Sequence, residues 1–86
     1  MAARRGARRG GYNAVLTYER ARFFEGRARL HQNVARASIL PPAGDGQGWV
    51  VVVTTRDNIE LASDKPGYVR TFLHLIETPA DRDVWR

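Results

Sequence analysis

Residues 21–37 read ARFFEGRARLHQNVARA, and the architecture turns on whether this stretch is helix or strand. It carries an echo at a spacing of seven: Ala21-Arg22-Phe23, Ala28-Arg29-Leu30, Ala35-Arg36-Ala37. Seven residues span about two helical turns, so a helix would put Leu16, Phe23, Leu30 and Ala37 on one apolar stripe, with Val15 and Val34 beside it. Arg22, Arg29 and Arg36 would flank that stripe, and Arg20 and Arg27 would border its other side. Alanine, arginine, leucine and glutamine are good helix formers, and Asn13 is an acceptable cap. Gly26 opposes this reading, at about 1 kcal/mol relative to alanine in a helix interior. The competing reading is a β-hairpin of residues 15–24 and 27–40, turning at Glu25-Gly26. Alternation is poor in both candidate strands and β-branched residues are few, so the expectation is a helix kinked at Gly26.

Downstream, LPPAGDGQG (residues 40–48) is a loop by composition; no Gly-Lys-Ser/Thr follows its glycines, so it is not a P-loop. WVVVVTT (residues 49–55) has no face that could be solvated and reads as a strand buried on both sides or central in its sheet. After an Arg-Asp-Asn turn, residues 59–63 return as the second strand of an antiparallel hairpin, and residues 37–40 offer a third strand. In YVRTFLHLIE (residues 68–77), Val69, Phe72, Leu73 and Ile76 recur at helical spacing, with Tyr68 and Leu75 alongside. Arg70, Thr71, His74 and Glu77 take the opposite face. An amphipathic helix over residues 66–77 follows, with Pro66 in its first turn and Ser63 or Asp64 as cap. Thr78-Pro79 with Asp81 resembles the start of a short C-terminal helix over residues 79–86. The fold class is α+β: one small domain over residues 12–86, preceded by a tail. A helix before three strands and a helix after also occurs among small nucleic-acid-binding modules, a likeness of fold alone.

The tail is ARRGARRGG (residues 3–11); with no periodic apolar pattern, residues 1–11 should be disordered when free. Charge is distributed unevenly. Residues 1–11 sum to +4, residues 12–40 to +3 and residues 41–86 to −2, within the net +5 of the 86-residue chain. A basic front half points to a polyanionic partner, with the acidic remainder facing elsewhere. Thirteen of the fourteen basic residues are arginine, a bias that a GC-rich coding sequence would also produce, so the charge carries more weight than the guanidinium.

Chemistry of other kinds finds little support. The absence of cysteine rules out disulfides and thiolate zinc sites. His31 and His74 read as solvent-exposed, and no spacing of histidines and acids offers a metal site. Asp57, Glu60, Asp64, Asp81 and Asp83 sit at turns and helix starts, where capping explains them. With no nucleophile motif either, no catalytic role and no cofactor are expected. No apolar run approaches the roughly 20 residues of a membrane helix, and the early arginines lead into Tyr12-Asn13 rather than a signal-peptide core.

Nucleic acid is therefore the expected partner, DNA or RNA, bound with little sequence preference. Arg4, Arg5, Arg8 and Arg9 of the tail would follow the phosphates, joined by Arg20, Arg22, Arg27, Arg29 and Arg36. Tyr12, Tyr18 and Phe24 are the aromatics available for stacking, although Phe23 and Phe24 read more simply as core. Such a protein belongs in the cytoplasm or in a virion or ribonucleoprotein particle. The alternative is a small structural subunit, a homodimer or a piece of a larger assembly. Trp49, Trp85 and the valine strand would then supply the apolar contacts that so small a core leaves over.

Overall fold

A computed structural model describes residues 14–85, with side chains through Arg82. The chain order is α1 (Tyr18–Arg29), β1 (Val34–Leu40), β2 (Val50–Thr55), β3 (Glu60–Ser63), α2 (Pro66–Ile76) and α3 (Pro79–Trp85). The strands form one antiparallel sheet, order β1-β2-β3, and the domain is α+β as expected. Arg86 and the Arg/Gly tail, with Arg4, Arg5, Arg8 and Arg9, lie outside the described residues.

Neither reading of residues 12–40 survives whole. The helix begins at Thr17, whose hydroxyl accepts the Arg20 N–H at 3.2 Å, and runs through Gly26 to Arg29. Glu19 in its first turn and Arg27 and Arg29 in its last complement the helix dipole. The chain then turns over residues 30–33 and enters β1, which starts earlier than the third strand expected at residues 37–40. The expected apolar stripe is corrected with it. Ala21, Phe24 and Ala28 face the core, while Phe23 and Leu30 are exposed. Two alanines let α1 lie close to the sheet and Phe24 fills the space between. Leu16 and Ala37 are buried as well, but in an extended segment and in β1 rather than in a helix. A register shift between Val34 and Arg36 breaks the alternation of β1, which hides this strand from a period-two reading.

β2 is central, with Val51, Val53 and Thr55 buried beneath the helices. Burial on both sides is incomplete, because the helices cover one face only; on the other, Val52 is half-buried and Thr54 is buried. The Arg-Asp-Asn turn closes with Thr55 N–H on the Ile59 carbonyl at 2.8 Å and Asn58 at φ 72°, a conformation asparagine tolerates. Leu16 bridges the base of the hairpin: its N–H donates to the Asp64 carbonyl at 2.8 Å and its carbonyl accepts from Trp49 N–H at 3.0 Å. Gly48 permits this approach, since a Cβ there would lie 2.6 Å from Val15 Cβ and 2.7 Å from the Leu16 oxygen.

In α2, Val69, Phe72 and Leu73 are buried, Ile76 is half-buried, and Tyr68 and Leu75 are exposed. Pro66 occupies the first turn, but the cap is Lys65 with no side-chain bond. Ser63 Oγ accepts from Lys65 N–H, and Asp64 Oδ2 accepts from Gly48 N–H at 2.9 Å, so both expected caps serve elsewhere. The start of α3 is a reciprocal capping box. Thr78 N–H donates to Asp81 Oδ2 at 2.8 Å and Asp81 N–H donates to Thr78 Oγ1 at 3.2 Å.

Candidate nucleic-acid interface

The helical layer leaves a cleft of about 290 Å³ between α1 and α2. From α1 it receives Arg20, Phe23, Phe24 and Arg27; from α2, Arg70, Leu73 and His74; His31 and Glu77 follow the two helices. Spacing explains the convergence. Arg20, Phe23, Phe24 and Arg27 recur at three- and four-residue steps, so they share one side of α1, and Arg70 and His74 do the same on α2. Phe24 is the floor, only 4% exposed. Arg20 and Arg70 reach its ring from separate helices, their guanidinium carbons 5.6 and 5.9 Å from the centroid. Arg27 lies over the Phe23 ring at 5.3 Å. These are cation–π distances, and stacking of this kind holds a guanidinium in place without consuming its N–H donors.

The acid at the cleft is already engaged. Glu77 Oε1 is 3.1 Å from Arg82 Nε and 3.1 Å from His74 Nδ1. Among the described residues, Arg20 and Arg70 have no carboxylate within 4.0 Å. His31, expected at the surface, is instead buried, with Nδ1 3.1 Å from the Arg27 carbonyl. It lies near Asp81. Burial raises the Asp81 carboxyl, but the N–H groups of Thr78 and Gln32, the Thr78 hydroxyl and His31 together outweigh it and hold the pKa below the ordinary value.

Among the described residues, the other predicted arginines lie apart from this cleft. Arg22 and Arg29 share Glu25, at 3.4 and 3.1 Å. Arg22 also donates to the Tyr18 hydroxyl at 2.8 Å; that bond, with the nearby Glu25 carboxylate, raises its pKa above the ordinary value. Arg29 donates to the Ala37 carbonyl at 3.2 Å, tying α1 to the edge strand. Arg36 belongs to β1, on the uncovered sheet face opposite Thr54, which in turn pairs with Glu60. The continuous helical row Arg22–Arg29–Arg36 is therefore absent, and the five described members of the predicted set separate into a cleft pair, a Glu25-bound pair and one strand residue. Arg70, outside the predicted set, also lines this cleft. The regional charge sum concealed it inside an acidic half, although its place on the polar face of an amphipathic helix was legible.

Among the described residues, no cluster of His, Cys, Asp and Glu is arranged to hold a metal, and no helix is long and apolar enough to cross a membrane. Compared with protein-family models, with curated proteins and with solved structures, the chain matches none.

Proposed function

We propose that this is a non-enzymatic nucleic-acid-binding protein that holds the phosphate backbone at the α1–α2 cleft, with the Arg/Gly tail adding further phosphate contacts. The observation that carries the reading is the approach of Arg20 and Arg70 from two helices to one aromatic floor, neither within 4.0 Å of a carboxylate of the described residues. Guanidinium groups held in that way offer forked donors to phosphate oxygens, and each phosphate neutralised releases condensed counterions. Such contacts carry no base code, so binding is largely independent of sequence and steeply dependent on salt. Arg22 and Arg29 contribute less, because Glu25 already holds both. The cytoplasm, a ribonucleoprotein particle or a virion suits this role.

The test is binding to random-sequence DNA and RNA across a salt series. Arg20→Ala with Arg70→Ala is expected to flatten the slope of log K against log salt by roughly 1.5 to 2, as two lost phosphate contacts require. An unchanged slope would move binding to the tail or to Arg36.

One observation favours a second reading, an assembly subunit. The sheet face bearing Leu40, Val50, Val52 and Ala62 carries no helix. Concentration-dependent light scattering that Val52→Lys abolishes would support it.

A further inference from the structure

Phe23 is an expensive residue where it stands. It is 51% exposed, on a helix whose core contact is made by its neighbour Phe24. With half its surface left in water, it gains only part of the burial that a core phenylalanine gains from folding. Its surroundings, however, suit a planar ligand. Its ring meets Phe24 edge-to-face, with centroids 5.6 Å apart and planes at 72°, and Arg27 lies over it. The cleft beside it, about 290 Å³, sits at the small end of ligand pockets: room for one ring system, not for the groove of a duplex.

On the footing of the nucleic-acid reading above, we propose that this cleft selects single strands over duplexes by stacking one unpaired base against Phe23, while Arg20 and Arg70 hold the neighbouring phosphates. A charged groove with an aromatic platform is the combination that single-strand recognition needs, because every base has a π-face and only an unpaired base can present it. In a duplex the bases are stacked on each other, and only sugar and phosphate reach a protein surface that does not enter a groove. Phosphate contacts serve both forms; Phe23 serves one. The ring adds affinity without adding charge, so its contribution does not change with salt, unlike that of the arginines.

The experiment uses the full chain and fluorescein-labelled oligonucleotides of about 12 nucleotides, single-stranded and duplex, followed by anisotropy. The wild-type protein is expected to hold the single strand about tenfold more tightly than the duplex. Phe23→Ala is expected to lower single-strand affinity about tenfold, leave duplex affinity as it was and leave the salt slope unaltered. Phe23→Leu, which keeps apolar bulk and removes the π-face, is expected to behave as Phe23→Ala does. Equal losses for both forms, or no loss for either, overturn the stacking proposal and leave phosphate binding standing. A loss of self-association in Phe23→Ala, with nucleic-acid binding intact, overturns it in favour of a contact between copies of the chain. Failure of the wild type to bind either form at about 20 mM salt removes the nucleic-acid reading itself.

Discussion

Replacing Asp81 should reveal how the C-terminal helix is fastened to the rest of the domain. Its Oδ1 accepts Gln32 N–H at 3.2 Å, 49 positions earlier in the chain, and its Oδ2 accepts Thr78 N–H at 2.8 Å. The residue is 3% exposed, so water does not readily take over. Asp81→Ala leaves both donors without that acceptor. A deprived buried donor costs about 1–3 kcal/mol; Gln32 and Thr78 are partly solvated, which argues for the low end, and the pair comes to about 2–3 kcal/mol. For a domain of this size each kcal/mol moves the midpoint by about 4–8 °C, so Tm should fall by roughly 10–20 °C. Asp81→Asn keeps one acceptor oxygen and should lose about half as much. The charge adds a pH signature. The folded carboxyl titrates below its unfolded value, so its stabilisation is complete above the unfolded pKa of about 3.9 and is lost as pH falls through the lower folded value. The gap between wild type and Asp81→Asn should therefore be present at about pH 5 and close below about pH 4. Urea unfolding followed by tryptophan fluorescence measures both quantities, with half-buried Trp49 as a reporter. A loss below about 0.5 kcal/mol for Asp81→Ala, or a gap that persists in acid, would refute the reasoning.

Three further outcomes are expected. Gly48→Ala must push a Cβ into the Leu16 backbone, and should cost about 1–3 kcal/mol or more in urea unfolding. Gly26→Ala meets nothing within 4 Å on a helix interior, and should stabilise by about 0.5–1 kcal/mol in the same assay. Glu25→Gln removes the acid shared by Arg22 and Arg29, so nucleic-acid affinity at low salt should rise a few-fold and the salt slope should steepen; an unchanged isotherm would mean that this face does not meet phosphate.

Much of the fold was legible because the relevant physics is local. Four successive valines favour a strand with one face in the core, Pro66 suits a first helical turn, and Thr78 with Asp81 forms a capping box in place. Those signals located β2, α2 and α3 to within a residue or two. The cleft was legible in halves. Arg20 and Arg27 were named from the chain, but their union with Arg70 depends on two helices meeting across a sheet. Phe23 and Phe24 are neighbours in sequence with the same composition signal, and only packing assigns one to the core and the other to solvent.

What residues 12–40 alone determined is their charge, their helical tendency up to Arg29 and the presence of apolar side chains at mixed spacing. Where the helix stops was decided elsewhere. The turn over residues 30–33 is held by remote groups: Asp81 takes Gln32 N–H, the Ile76 carbonyl takes Asn33 Nδ2 at 2.9 Å, and Arg56 donates to the Gln32 carbonyl at 2.7 Å and, through its backbone N–H, to that of Asn33 at 2.8 Å. Helix propensity separates ordinary residues by only a few tenths of a kcal/mol, and β2 offers residues 34–40 a ladder partner at every position but Ala35. Propensity differences of a few tenths of a kcal/mol per residue yield to tertiary hydrogen bonds worth about 1 kcal/mol each, and those bonds exist only once distant parts of the chain have met.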